Sequence, residues 1–408
     1  MPRLSSSATA AGTETDPQRP RFEVADIVRE YGEAFRATHH VSHEQARVLR
    51  AIVQCRTAAL GGHVEACETC GTEQICYNSC RNRHCPKCQG SARAKWLAAE
   101  QALLLPVPYF HLVFTLPHQL NLLIRVNQRV LYNLLFQAAT QTLQEFARDP
   151  DHLGAELGIT AVLHTWGQTL TEHVHVHCIV TGGGLSAEGT QWRSSPPRFL
   201  FAVQALSQVF RGKYLAGLRR LRAKHKLHFV GASAALAADE AWTTFLNQVQ
   251  ERSWVVYAKP PWGGPEQVLK YLSRYTPRVA LSNARLVFVG EGVVRFRSKD
   301  YAAGGTSKIM ELRAEEFLRR FLLHVVPSHF VRIRHCGLLA NRTRQDKLPR
   351  CRQLLAVVAA AVTSVLPTPT GETPAAGIET ATPARCPACG GGPLRVSALL
   401  APQRGIPP

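Results

Sequence analysis

No apolar run in this chain is long enough to cross a bilayer. The longest, Leu354 to Val362, falls far short of the roughly 20 residues a membrane helix needs. The first twenty residues, MPRLSSSATAAGTETDPQRP, contain no apolar core of the kind a secretion signal carries. Acidic residues are also scarce: 29 Asp and Glu face 48 Lys and Arg, a formal charge of +19. These absences exclude a membrane span, predict a cytoplasmic protein, and make polyanions, nucleic acid first, the expected partners. The basic residues gather in patches, Arg81 to Lys95, Arg211 to Lys226 and Arg313 to Arg352, as expected of a polyanion-binding surface. Without a secretion signal, disulfides are not expected, so the twelve cysteines read as reduced ligands.

The pattern of apolar residues predicts an α+β fold. After a disordered lead-in over residues 1–20, Phe22 to Val53 shows the spacing of two helices, followed by a cysteine-rich module and a helix from Ala92 to Leu104. The run PYFHLVFTL alternates as a strand, Asn127 to Phe146 is helical, and Leu157 to Leu170 and Glu172 to Val180 are two strands, the second stopped by Gly182, Gly183 and Gly184. A basic helix from Val203, a strand over Ser253 to Ala258 and a helix from Glu266 to about Thr276 follow, then a hairpin turning at Gly290, Glu291, Gly292. This order suits an antiparallel sheet with helices packed on it. The expected division is a helical and zinc-binding domain at 21–104, a catalytic domain at 105–300, a basic, mostly helical region at 301–366, and a flexible linker and tail at 367–408.

In Glu172-His-Val-His-Val-His-Cys-Ile-Val180, alternation puts His173, His175 and His177 on one face of a strand and Val174, Val176, Cys178 and Val180 on the other. Same-face imidazoles about 7 Å apart along a strand can converge on one divalent ion. Imidazoles alone suit zinc, whereas phosphate chemistry recruits magnesium or manganese. On the helix from Glu266, Tyr271 and Tyr275 are four residues apart and share a face, with Lys270 and Arg274 beside them. A phenol activated by nearby positive charge can attack a phosphodiester and conserve the bond as phosphotyrosine, which allows strand transfer without ATP.

Cys67-Glu-Thr-Cys70-Gly71 and Cys85-Pro-Lys-Cys88 are two CxxC knuckles with zinc-ribbon spacing, so Cys67, Cys70, Cys85 and Cys88 are the expected zinc ligands. His63, Cys76, Cys80 and His84 lie in the same module as possible substitutes or ligands of a second ion. Arg81, Arg83, Lys87 and Arg93 would offer charge to DNA phosphates. The tail carries half a ribbon, Cys386-Pro-Ala-Cys389, whose nearest cysteines, Cys336 and Cys351, lack matching spacing.

Four stretches taken together resemble the rolling-circle transposases of the insertion sequence 91 type, members of the HUH endonuclease superfamily. They are GGHVEACETCG with NSCRNRHCPKCQ; PYFHLVFTLPHQLN; HVHVHCIVTGGGLS; and KYLSRYTPRVALSNARL with KDYAAGG and FLLHVVPSHFVRIRHCGLLANR. The resemblance spans residues 20–355. It implies an amino-terminal zinc-binding domain and an HUH catalytic domain built on an antiparallel sheet. It also implies His175 and His177 as ligands of a catalytic magnesium or manganese ion, with His173 or Gln267 as the third. Tyr271 and Tyr275 would be paired nucleophiles acting on single-stranded element ends. A plasmid replication initiator or relaxase shares that chemistry. A zinc-ribbon protein that only binds DNA, or a metallohydrolase using activated water, would leave no protein on the DNA.

Overall fold

The computed structural model describes residues 20–198, 200–259, 281–300, 304–363 and 385–403, together with Gln267. The lead-in before residue 20, the tyrosine helix with Lys270, Tyr271, Arg274 and Tyr275, and the linker Pro367 to Pro383 lie outside the described residues. Among the described residues, no helix is long and apolar enough to cross a membrane.

The central sheet is antiparallel. Its strands are β3 (Tyr109–Thr115), β4 (Ala155–Trp166), β5 (Glu172–Ser186), β6 (Trp192–Ser194), β7 (Val256–Lys259) and β11 (Ile333–Gly337). The order is β11-β4-β5-β3-β7, with β6 pairing the end of β5, so β5 is flanked along its length by β4 and β3. Alternation fixes which side chains enter the core. Val174, Val176, Cys178 and Val180 of β5 join Phe110, Leu112 and Phe114 of β3 and Ile159, Ala161 and Leu163 of β4 on one face. That face is covered by α5 (Gln128–Arg148) and α6 (Val203–Ala223). Leu131, Leu135, Ala139 and Leu143 recur at helical spacing along α5 and stay buried, each full-size side chain stabilising the fold by about 1.5–3 kcal/mol. The opposite face of β5 is left for polar chemistry.

The glycine run does not stop β5. The strand continues through Gly182, Gly183 and Gly184 to Ser186, because the glycines allow neighbouring backbone to close in. A Cβ on Gly183, whose φ is +144°, would lie 2.6 Å from the Arg193 carbonyl oxygen, and one on Gly184 would lie 2.5 Å from that of Glu156.

A second core joins the amino-terminal helices to the segment from residue 281 to 325. Helices α1 (Val24–Thr38) and α2 (His43–Gln54) pack Val24, Ile27, Phe35, Leu49 and Ile52 against a sheet of β8 (Leu286–Gly290), β9 (Val293–Asp300) and β10 (Thr306–Arg313) and the following helix α8 (Ala314–Leu323). Asn283 fastens the contact, its side-chain oxygen accepting the Val24 amide at 3.1 Å at the open end of α1. α2 starts with a capping box: Ser42 Oγ accepts the Gln45 amide while the Gln45 side chain accepts that of Ser42. The segment after residue 300 is therefore less helical than its basic composition suggested. It contributes β10 to this second sheet and β11 to the central one before the helix α9 (Arg344–Thr363). Charged side chains on the exposed faces of these strands hide the period-two pattern.

The third unit is a hairpin of β1 (Gly62–Cys67) and β2 (Glu73–Tyr77). The tail strand β12 (Leu394–Leu400) pairs with the other edge of β1. The remaining helices are α3 (Gln89–Gln101), α4 (Asn121–Val126) and α7 (Asp239–Glu251).

Candidate metal centres

On the polar face of the central sheet, register brings together histidines from two strands. His175 of β5 stands opposite His164 of β4, and His177 opposite Val162. The ring nitrogens of His164, His175 and His177 lie within 4.8 Å of one another, with His164 only 4% and His175 7% exposed. His175 donates Nδ1–H to the backbone carbonyl of His173 at 2.6 Å, because a carbonyl can only accept, and so directs its Nε2 lone pair at His177. The two Nε2 atoms are 3.0 Å apart. On its other side, His177 Nδ1 is joined by a hydrogen bond of 2.8 Å to His111 Nε2 of β3, whose ring stacks on it.

Burial sets the protonation of this group. Desolvation, reinforced by His177 and His173, holds His175 well below the usual imidazole range. Desolvation likewise pushes His177 and His111 down to about 3. The rings are neutral near pH 7, the form that binds metal. Two nitrogens each about 2.1 Å from one ion sit about 3.0 Å apart at adjacent octahedral positions, which is the His175 to His177 separation. A divalent cation would accept both lone pairs, the His177 proton then lying on Nδ1 toward His111.

The third member of this group is His164. His173 is on the same face of β5, but its ring packs between His118 and His175, with centroids 5.6 and 4.8 Å away. Gln267 is exposed. The sequence reading missed both His164 and His111. Each is polar on the face of its strand that should match the histidines of β5, but only the strand order shows that they face them.

The cysteines do not form the single ribbon expected of Cys67, Cys70, Cys85 and Cys88. Cys85 and Cys88 gather with Cys55 and Cys80, while Cys67 and Cys70 gather with Cys386 and Cys389. The hairpin explains the separation. Cys67 and Cys70 sit at its turn, and β2 runs back so that Cys80, Cys85 and Cys88 fall at the far end, where Cys55 caps α2. The six residues of β1 span about 17 Å, far beyond the reach of one ion's ligands. In the first cluster Cys55 and Cys80 lie 3.3 and 3.4 Å from Cys88, sulfur to sulfur, and Cys55 and Cys85 are buried in the second core. All twelve cysteines are free thiols.

His84 is not a ligand in either cluster. It is buried, accepts the Val326 amide at 3.3 Å, and is held at a pKa of about 3 chiefly by desolvation. His63 lies 3.1 Å from Glu65 and, with Cys76, forms a small group on the hairpin. Cys336 and Cys351 stand apart from all four groups. Of the basic residues expected on DNA, Arg81 is exposed, but Arg83 donates to the Phe330 carbonyl, and Lys87 pairs with Glu23 and sits 3.4 Å from the Cys55 carbonyl. Those two cations brace the zinc module against neighbouring segments. The Arg93 side chain lies outside the described residues.

Comparison with known proteins points to transposases. A family model described as "Transposase zinc-binding domain" matches residues 27–116, and one described as "Putative transposase" matches residues 158–347. The chain is 53% identical over 334 residues to "Putative transposase y4qJ" of Sinorhizobium fredii, covering 82% of this chain and 84% of that one. It is 29% identical over 310 residues to the transposase for insertion sequence element IS801 of Pseudomonas savastanoi pv. phaseolicola, covering 74% and 72%. No solved structure matches the chain significantly.

Proposed function

The chain belongs to the transposase family of the insertion sequence 91 type, and from that premise we propose that it cleaves and rejoins single-stranded DNA at insertion-element ends by rolling-circle transposition. Tyr271 and Tyr275 are the nucleophiles of this proposal. In each cleavage the phenolic oxygen loses its proton and attacks the scissile phosphorus. The bond to the 3′ oxygen breaks, and that oxygen takes up a proton. The 5′ end stays on the enzyme as phosphotyrosine, so a 3′ hydroxyl can later reverse the step and restore the phenol.

His164, His175 and His177 would hold a magnesium or manganese ion, which when bound neutralises charge on the scissile phosphate. The protein keeps His175 and His177 neutral by burial and fixes their direction through the His173 carbonyl and His111. Lys270 and Arg274, next to the tyrosines in sequence, would attract the phosphate backbone. The reaction would occur at the nucleoid in the bacterial cytoplasm. The observation that carries the reading is the convergence of three imidazoles from two paired strands of a rigid sheet.

Labelled single-stranded DNA carrying element ends, incubated with the protein and magnesium or manganese, should give a protease-sensitive adduct on denaturing gels. That band should vanish in Tyr271→Phe/Tyr275→Phe. Nicked DNA without an adduct would replace the tyrosine mechanism with metal-activated hydrolysis. Binding without cleavage would leave a zinc-ribbon DNA-binding protein, and cleavage confined to a plasmid origin would indicate an initiator or relaxase.

A further inference from the structure

The structure assigns a second structural zinc site to Cys67, Cys70, Cys386 and Cys389, so we propose that one zinc ion ties the tail of the chain to its amino-terminal hairpin. The inference is independent of the catalytic proposal. Half of its ligands lie beyond both matched regions, which end at residues 116 and 347.

The distances fit a tetrathiolate. Cys67 and Cys389 lie 3.7 Å apart, sulfur to sulfur, as do Cys70 and Cys386, and all four sulfurs fall within 4.8 Å of one another. Sulfurs bound about 2.3 Å from a tetrahedral zinc are separated by about 3.8 Å, whereas a disulfide would need about 2.05 Å.

The two knuckles also share one backbone conformation. The Gly71 amide donates to the Cys67 carbonyl at 2.9 Å, and the Gly390 amide donates to that of Cys386 at 2.8 Å. These glycines have φ of +69° and +67°. The Cys67 amide donates to Thr72 and the Cys386 amide to Gly392, each at 3.0 Å. Two turns 316 residues or more apart in sequence thus present their thiols in matching fashion.

Packing alone does not hold the tail there. β12 pairs with β1 from Gly62↔Leu400 to Cys67↔Leu394, yet Val396 is 58% and Leu399 84% exposed, and no residue of β12 belongs to a hydrophobic core among the described residues. A three-stranded sheet without a core needs another source of stability, and a metal ion supplies it. The ribbon expected from neighbouring knuckles is built instead from opposite ends of the chain.

Metal analysis of the full-length protein, purified under reducing conditions, tests this. Wild type should carry two zinc ions per chain, one in each cysteine cluster, and Cys386→Ser/Cys389→Ser should carry one while keeping the wild-type circular dichroism. In wild type, Cys386 and Cys389 should resist iodoacetamide, become labelled after chelation and regain protection when zinc alone is returned. Unchanged zinc content in the double variant, cystine-linked Cys67–Cys389 peptides in place of metal, or iron in place of zinc would each overturn the proposal. Should the double variant misfold, the wild-type labelling cycle decides by itself: labelling that ignores chelator and zinc overturns it.

Discussion

His164 on β4 faces His175 across the strand pair, and its ring is 4.4 Å from that of His177 between centroids. This relation favours His164 over His173 as the third imidazole of the proposed catalytic ion. His164→Ala should therefore abolish manganese binding measured by calorimetry, whereas His173→Ala should retain most of it. His111→Ala, which removes only the partner of His177, should weaken binding by about 10–100-fold. Equal losses from His164→Ala and His173→Ala would refute the assignment.

The buried histidines also set the pH response of the fold. His84, His111 and His177 are held near 3, and His324 near 4, mainly by desolvation. With folded values below the unfolded one of about 6.5, the unfolded chain binds more protons in the window between them. Stability is therefore unaffected well above pH 6.5 and falls as pH drops through about 6.5 toward 3, each group contributing up to about 1.4 kcal/mol per pH unit. Thermal melts of the metal-free catalytic site should show Tm falling steadily from about pH 7 to pH 4. Added manganese should move the loss to lower pH because metal and proton compete for the same nitrogens. A flat profile would mean that these rings are hydrated.

What the sequence revealed was mostly local. Alternation in β5 showed the histidine face and its apolar reverse, and helical spacing showed α1, α2, α5 and α6, because those signals depend on neighbours within a few residues. His164 and His111 were not legible, since their role depends on which strands flank β5. The CxxC pairs were recognisable, but their grouping depends on a hairpin that sends two knuckles to opposite ends and on a tail strand more than 300 residues away. The glycines after Thr181 read as a strand end by a local rule. Close approach of neighbouring strands gave them a different purpose.

Gly183 offers a test of that purpose. At its φ of +144° an L side chain is strained, and its Cβ would press on the backbone of β6. Gly183→Ala should cost about 1–3 kcal/mol, read as a lower denaturant midpoint, with β5 and β6 separating first in hydrogen exchange. If stability and exchange match wild type, the strand end is more pliable than its geometry indicates.

Cys55 gives the sharpest contrast between the two cysteine clusters. It caps α2 and is buried in the second core beside Cys85, with hydrogen bonds from neighbouring cysteines, Cys80 foremost, lowering its thiol below the usual range. A thiolate there needs a counter-charge, because an isolated buried anion is strongly unfavourable, and a zinc ion shared with Cys80, Cys85 and Cys88 would provide it. Cys55→Ser should remove one zinc and also loosen α1 and α2 from β8–β10, lowering stability by several kcal/mol. The tail pair, attached to an exposed strand, should lose its zinc with little change in the global melt. Metal analysis paired with calorimetric melts separates the two. If Cys55→Ser keeps full zinc content and full stability, Cys55 is not a ligand of the first cluster.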